Sequence, residues 1–305
     1  MNFIMQSSIT LINSIFNMEN TLLIKFDNVF QGHIVKRPSK SCKTPYVADV
    51  LLPDNNEILG HSPSLGCCGL ADKDATVLMT QLDNKKKQVC SHRIELAIVN
   101  ENDHSMVVGI NPKLGETIAE EALKRNFISS LINVKTYKRE VKILNSRFDF
   151  AGTDENHKPF IMEIKNVPLA DYVDVAKKDR KKYNDVINTK KYDEKISYFP
   201  DGYRKNSTDV VSPRALKHIQ ELQEVAKSGK VRAILCFIIQ RNDVKQFQTS
   251  NVDLTYKKAV YEAYKDGVEI KTIQVMWNTE GECYFLRNDL PISLSLENEN
   301  EYINC

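Results

Sequence analysis

Two β-rich segments that carry three distinctive side chains constrain this 305-residue chain most strongly. The first segment covers residues 141–151 and includes Asp149, and the second covers residues 160–167 and includes Glu163 and Lys165. The stretch between them is rich in Gly, Asp, Asn and Pro, so the sequence predicts a hairpin. Because side chains alternate across a strand, Glu163 and Lys165 should share one face, which Asp149 can approach from the partner strand.

Two carboxylates beside an amine have the chemistry of a divalent-metal site. Carboxylate oxygens bind hard divalent cations, and a lysine can orient or deprotonate a water next to the metal. We therefore predict that Asp149 and Glu163 bind Mg²⁺ or Mn²⁺ and that Lys165 is catalytic. This arrangement is typical of PD-(D/E)XK phosphodiesterases. Glu-x-Lys is also common on exposed strand faces, so this motif by itself is only weakly specific for such a site.

The surrounding sequence resembles the sugar fermentation stimulation protein A (SfsA) family from about residue 28 to 295. The resemblance is carried, in order, by residues 46–52, 61–66, 109–112, 121–123, 146–150, 163–165, 199–201, 214–219 and 240–241. It implies an N-terminal OB-type β-barrel, a nuclease-like α/β domain and DNA binding. The chain departs from the family pattern at Ser64 and Leu65, where Asn-Thr is usual, and at Ala215, which replaces a glycine. The segment between Lys165 and Arg214 is also longer than in the family.

The hydrophobic pattern changes period along the chain. Five β-rich runs, at residues 22–26, 46–52, 75–80, 93–99 and 106–110, suit a small barrel. Beyond Leu114, helical periods at 116–131, 213–227 and 255–266 alternate with strand-like runs. We predict a two-domain α+β fold, with an OB-type barrel over 21–108 and a restriction-endonuclease-like α/β domain with a mixed central sheet over 109–295. Residues 1–20 are predicted to be a mobile extension, 171–208 a charged insertion and 296–305 a tail.

Three further residues are candidates for the chemistry. Glu121 lies on the predicted helix before the hairpin and could add a carboxylate, although Glu120 beside it is an alternative and a solvated acid is the simpler interpretation. Lys217 could hold a phosphate oxygen, or it could simply pair with Glu221 one helical turn away. Arg147 shares a strand face with Asp149 and could contact that carboxylate, a phosphate or only solvent.

Two basic regions are candidates for contacts with DNA. Tyrosines stand near the cations of the first region, so phosphate pairing and base stacking could occur together, although nearby acids also fit a solvated surface. The second region lies on the predicted barrel. The residues of the two regions are Lys177, Lys178, Arg180, Lys181 and Lys182, and Lys36 and Arg37.

Composition bounds the compartment and the partners. The net charge of +2 does not by itself indicate nucleic acid. Seven cysteines without a Cys-x-x-Cys pair favour reduced thiols, hence a cytoplasmic or other reducing, non-secreted compartment. No segment has the run of about 18 apolar residues that a membrane helix needs, so no membrane association is expected. DNA is the expected partner, and a homodimer stays an open alternative.

Three functions compete at this stage. The first is a divalent-metal-dependent deoxyribonuclease, and the second is a DNA-binding regulator that keeps the nuclease-like scaffold without turnover. The third is a protein-interaction module that uses the charged insertion. Retention of Asp149, Glu163 and Lys165 together favours the first two.

Overall fold

The computed structural model describes residues 20–65, 69–83, 89–101, 103–200, 202, 209–296 and 302–303. These residues form a mixed α+β fold with one sheet of thirteen strands and another of five. The strands are β1 (Thr21–Lys25), β2 (Phe30–Lys36), β3 (Val47–Leu51), β4 (Glu57–His61), β5 (Thr76–Gln81), β6 (His92–Glu101), β7 (His104–Gly109), β8 (Thr136–Ile143), β9 (Ser146–Thr153), β10 (Pro159–Val167), β11 (Ala170–Asp171), β12 (Lys195–Phe199), β13 (Arg232–Ile239), β14 (Val244–Thr249), β15 (Glu269–Trp277), β16 (Glu282–Arg287), β17 (Ile292–Ser293) and β18 (Tyr302–Ile303). The helices are α1 (Pro112–Lys124), α2 (Asn184–Ile187), α3 (Pro213–Lys227) and α4 (Leu254–Lys265), with 3-10 turns at Arg180–Tyr183 and Tyr192–Glu194.

The N-terminal strands pair in a ring. The pairings run from β4 through β3, β2 and β5 to β6, and β6 returns to pair with β4. The sequence pattern does not predict strands β2 and β4, because each of them contains a glycine. A Cβ on Gly32 would lie 2.4 Å from Val50 Cγ1, and one on Gly60 would lie 3.0 Å from Val50 Cγ2. The tight interior therefore selects glycine at two positions where strand propensity disfavours it.

Two of the five predicted barrel strands lie outside this ring. β1 pairs with β16 near the C-terminus, with Thr21 opposite Phe285, and β7 joins the ring strand β6 to β15. The large sheet therefore runs without a break from the N-terminal strands into the C-terminal half. Length and β propensity identify a strand, but they carry no information about which neighbour it pairs with.

The C-terminal part of the large sheet is mixed in direction. β10, β13 and β15 are parallel neighbours, while β9 and β8 continue the sheet antiparallel. One face packs on α1 and the other on α3 and α4. Because β13 is covered on both faces, its side chains from Ala233 to Ile239 are all buried, including Cys236.

Capping residues fix the helix starts. Ser212 Oγ accepts the Ala215 N–H at the start of α3, where Pro213 is the first helical residue, and Asp253 accepts the Tyr256 N–H at α4. α1 begins at Pro112, with Asn111 as its cap, and ends at Lys124, earlier than the predicted 116–131. Phe127 and Ile128 are buried as predicted, but they follow the helix in irregular backbone.

The predicted insertion at 171–208 is not peripheral throughout. Its last part forms β12, which pairs parallel with β14 in the second sheet, and Lys195 and Ser197 are buried there. The high charge of this segment hides the strand, because Lys195 is buried through ion pairs that a sequence pattern does not show. Of the predicted tail, Tyr302–Ile303 pairs with β17.

Residues 1–19 of the predicted extension, and 297–301 and 304–305 of the tail, lie outside the described residues. Within the part of the chain that is described, no helix is both long and apolar enough to cross a membrane.

Candidate active site

Strand β9 separates from β10 at Asp149. The two strands pair from Phe150 to Thr153 on the β9 side, and Phe148 packs toward α3 while Phe150 packs toward α1. At the point of separation Asp149 Oδ2 accepts a hydrogen bond of 2.7 Å from the Ile164 N–H. The backbone of β10 thus holds the Asp149 carboxylate beside Glu163, as the predicted hairpin requires.

Glu163 is the most buried acid of this region. It is 3% exposed, and its Oε1 accepts hydrogen bonds from Lys165 Nζ and contacts His218 Nδ1, which α3 supplies. The other oxygen, Oε2, is buried without a hydrogen-bond partner among the described residues. A buried carboxylate oxygen without a partner costs free energy, so this atom marks a place where the fold alone does not satisfy its own polar groups.

The two acids differ in their pKa. Burial and the negative charge of Glu163 raise the pKa of Asp149 to about 7. Burial also acts to raise the pKa of Glu163, but the charge of Lys165 and the contact with His218 outweigh it and the pKa is lowered. Near neutral pH the site therefore holds one firmly ionised carboxylate and one that binds and releases a proton readily.

Asp149, Glu163 and Lys165 line one cavity of about 550 Å³. An adjoining cavity of about 510 Å³ shares Asp149, Glu116 and Arg214 with it. Arg214, in the first turn of α3, is exposed and forms no hydrogen bond or ion pair with any residue that the structure describes. Acidic and basic groups therefore meet at the same opening, where a cation and a phosphate could be bound together.

The helix carboxylate in these cavities is Glu116, which the sequence analysis did not identify. Glu116 lines both cavities, and its charge contributes to the raised pKa of Asp149. Glu121 lies five residues further along α1, about 140° around the helix, and its carboxylate pairs with Lys124 and Arg125. A helical wheel places Glu116 and Glu121 on different faces of α1. Only the docking of α1 on the sheet decides which of the two acids faces Asp149. The predicted site role of Glu121 stays a prediction.

Neighbouring residues on α3 have different surroundings. Lys217 Nζ donates a hydrogen bond of 2.8 Å to the Asn145 carbonyl and lies 3.8 Å from Glu221. His218, the next residue along α3, is the one that reaches Glu163. Arg147 lines the second cavity and pairs with Glu140 at 3.0 Å. Arg147 is thus brought to the opening, while the site role of Lys217 stays a prediction.

The basic residues predicted to contact DNA fall into three groups that differ in their hydrogen-bond and ion-pair partners. Lys36, Lys177, Lys178 and Lys181 are exposed, and no described acid pairs with them. Arg180 pairs with Asp171 and Lys182 with Asp179. Arg37 donates to three carbonyls, including that of Ser64 in the loop that borders the larger cavity. Arg37 therefore holds this loop in place, and the DNA contacts of all these residues stay predictions.

The residues fit a weakly held divalent cation. No group of three or more His, Cys, Asp or Glu side chains in the described residues is arranged to hold a metal by itself. Yet the buried Glu163 Oε2 has no partner in that part of the chain, and burial together with the charge of Glu163 raises the pKa of Asp149. A divalent cation relieves both conditions, with waters completing its coordination.

Comparisons with known proteins place the chain in a family. A family model described as sugar fermentation stimulation protein RE domain matches residues 113–177 and 171–281. The chain belongs to the SfsA family. Two curated relatives are sugar fermentation stimulation protein homologs. That of Clostridium novyi (strain NT) is 29% identical over 249 residues, covering 81% of this chain and 90% of the relative. That of Shewanella frigidimarina (strain NCIMB 400) is 27% identical over 257 residues, covering 82% and 92%.

A solved SfsA structure shares the fold. The structure of Pyrococcus furiosus SfsA in complex with Ca²⁺ aligns with a TM-score of 0.69 at 18% identity, covering 90% of this chain and 99% of that one. This likeness confirms the mixed α+β fold with a large sheet. At 18% identity, the likeness does not assign a functional role to any residue of this chain.

Proposed function

We propose that this SfsA-family chain binds DNA and hydrolyses its phosphodiester bonds with a divalent metal ion. The observation that carries the proposal is the cavity in which Asp149, Glu163 and Lys165 meet, with an unpartnered buried oxygen on Glu163 among the described residues. Asp149 and Glu163 would hold Mg²⁺ or Mn²⁺, and Glu116 is close enough to add its negative charge. The Ca²⁺ complex of Pyrococcus furiosus SfsA supports a divalent-cation site in this fold.

The chain's own residues have separate roles in this proposal. When bound, the metal polarises a phosphate oxygen and lowers the pKa of a coordinated water. Lys165 would orient the attacking water, since its ammonium group lies against Glu163. His218 holds Glu163 from the side of α3, so that the carboxylate stays ionised and fixed in orientation. Arg214 provides a positive charge at the opening for the scissile phosphate.

DNA binding in the proposal is spread over the surface. The exposed cations Lys177, Lys178 and Lys181 have no acidic partner among the described residues, so they are available to phosphates. The ring of strands β2 to β6 serves as an OB-type barrel in this proposal, with the exposed Lys36 at the end of β2. This division leaves the acidic cavity for chemistry and the basic surface for affinity.

The direct test incubates the full chain with labelled single- and double-stranded DNA in Mg²⁺ or Mn²⁺. Wild type should cut in the presence of metal and not in EDTA, and Asp149→Ala should not cut. Asp154→Ala is the matched control, because Asp154 also lies on the β9–β10 hairpin but pairs with Arg232 away from the cavity. Equal cutting by wild type and Asp149→Ala would exclude the proposed site.

A DNA-binding regulator without turnover is the second candidate. One observation favours it: Glu163 Oε1 is already occupied by Lys165 and His218, and the described residues offer no cluster of three metal ligands. DNA binding without cleavage in Mg²⁺, Mn²⁺ or Ca²⁺ would select this function.

A further inference from the structure

The cavity of Asp149, Glu163 and Lys165 has an apolar wall that the metal chemistry does not use. Leu65 lines it from the N-terminal loop and is 56% exposed, and Tyr198 of β12 lines it with a half-buried ring. Ile164 and Leu169 are buried beneath the same surface. An exposed leucine and a tyrosine that line the same charged cavity provide apolar surface for a ligand with an apolar part.

Both sides of this wall are fixed by backbone contacts. On one side the Ser64 carbonyl accepts a hydrogen bond of 2.5 Å from Arg37, and the Ser62 N–H donates to the Tyr46 carbonyl at 2.8 Å. On the other side the Tyr198 N–H donates to the Leu169 carbonyl at 3.2 Å, and Tyr198 pairs with Gln248 in the second sheet. The wall is therefore formed before any ligand arrives, so little ordering would be needed on binding.

We propose that this wall binds an unpaired nucleobase, which makes the preferred substrate single-stranded DNA or a frayed strand end. This inference rests on the proposed function. A continuous duplex keeps the flat faces of its bases stacked inside and exposes only their edges in the grooves, so it offers no base face to Leu65 and Tyr198. An unpaired nucleotide has a phosphodiester for the carboxylates and Lys165 and a flat apolar base for the wall.

The dimensions and charges agree with this occupant. The cavity of about 550 Å³ lies within the roughly 300–1,000 Å³ of sites that enclose small ligands, so it can take one nucleotide. Arg214 and Lys165 supply positive charge on the same cavity for the phosphates on either side of the base. Stacking and apolar contact are tolerant of base identity, so we expect a preference for strandedness without a strong sequence preference.

The test measures DNA binding by fluorescence anisotropy in EDTA, where no metal-dependent cleavage occurs. The probes are a short labelled single strand, the same strand with an abasic position, and a blunt duplex of the same sequence. Wild type should bind the intact single strand about tenfold more tightly than the duplex. Leu65→Ala should remove most of this difference, while Leu65→Phe should keep it because a ring can replace the apolar contact.

Leu254→Ala is the matched control, since Leu254 is 66% exposed on α4 and does not line the cavity. Tyr198→Ala should act like Leu65→Ala, with thermal unfolding measured alongside to show that it folds. Equal affinity of wild type for single strand and duplex, or undiminished preference in Leu65→Ala, would overturn the base pocket. A chain that cuts DNA yet shows no strand preference keeps the proposed function and refutes this inference. A chain that prefers single strands but never cuts DNA keeps the base pocket and refutes the proposed cleavage.

Discussion

Two buried groups of charges in this chain are built in opposite ways. Lys195 on β12 forms ion pairs with Asp243 at 2.8 Å and with Glu101 at 2.9 Å, and its ammonium lies 4.0 Å from the centre of the Tyr192 ring. Arg241 pairs with Asp243 through two hydrogen bonds. We call these five residues the Lys195 cluster. In the cavity of Asp149, Glu163 and Lys165, by contrast, Glu163 keeps an unpartnered oxygen among the described residues.

The pKa values of the acids follow this difference. In the Lys195 cluster burial acts to raise the pKa of Asp243, but hydrogen bonds and charge from Arg241 and Lys195 lower it overall. In the cavity, burial and Glu163 raise the pKa of Asp149 to about 7. A buried charge that is fully paired within the fold holds elements together, whereas one left partly unpaired retains capacity for a ligand. Both groups are buried, but the acids of the Lys195 cluster are paired within the fold, whereas Glu163 in the cavity keeps an oxygen without a partner among the described residues.

Lys165→Ala gives the largest expected effect and tests the functional side. Cleavage of DNA should fall by roughly a thousandfold or more, because the variant lacks the group that positions the water. DNA affinity should change little, since it is spread over remote cations. Single-turnover cleavage and anisotropy measure the two quantities, with Lys258→Ala on the exposed face of α4 as the control. Unchanged cleavage would show that Lys165 has no catalytic part.

Lys195→Met tests the structural side. The free energy of unfolding should fall by about 1.5–3 kcal/mol, because the buried Asp243 would lose its charge-assisted hydrogen bond from Lys195 while it keeps its pair with Arg241. Urea unfolding monitored by circular dichroism measures it. Lys25→Met is the control, since its pair with Glu282 lies on the surface and its loss should have a much smaller effect. A small effect of Lys195→Met would remove the distinction between the two groups.

Glu163→Gln should weaken Mn²⁺ binding by roughly a hundredfold, because the amide keeps the shape of the side chain but not its charge. Titration calorimetry of the metal-free protein measures the affinity. Glu221→Gln is a close control: Glu221 is also buried and also has an oxygen without a partner in the described residues, but it does not line the cavity. Equally weakened binding in both variants would mean that the effect is not local to the cavity.

Asp149→Asn should stabilise the metal-free protein at pH 8. A carboxyl whose pKa is raised on folding, from about 4 to about 7, makes the folded state less stable as the pH rises through that range. Asn cannot ionise, so the variant should melt roughly 2–4 °C higher at pH 8, and the gain should shrink towards pH 5. Thermal unfolding in EDTA measures this.

Asp154→Asn should change the melting temperature in the opposite direction. Backbone hydrogen bonds and Arg232 lower the pKa of Asp154 despite burial, so removing its charge should lower the melting temperature at pH 8. A lower melting temperature for Asp149→Asn would contradict the expectation that burial and the charge of Glu163 make ionised Asp149 destabilising.

Neutralising exposed cations gives the smallest effect. In a triple variant with Lys177→Ala, Lys178→Ala and Lys181→Ala, fewer DNA phosphates would be neutralised by the protein. The slope of log affinity against log salt should then become shallower by about 0.9 for each duplex phosphate that a lysine had neutralised. Substitution is preferable to deleting the predicted insertion, because deletion would remove β12 from the second sheet. Lys230→Ala, with an exposed lysine after α3, is the control. An unchanged slope in the triple variant would place DNA binding elsewhere.

Local sequence determined a large part of this molecule. The hairpin that carries Asp149, Glu163 and Lys165, the start of α3 at Ser212-Pro213 and the buried strand around Cys236 follow from alternation, capping and apolar runs. These features depend on interactions between residues near one another in the chain, so the sequence pattern contains them. The family resemblance rests on the same local motifs, and it is confirmed.

Only the tertiary structure decided which distant groups meet. The docking of α1 turned Glu116 rather than Glu121 toward Asp149, and the docking of α3 brought His218 to Glu163. The pairing of β1 with β16 and the burial of Lys195 in β12 likewise depend on partners far away in sequence. Such interactions are set by packing and charge pairing between separate elements, and a one-dimensional pattern of propensities does not record them.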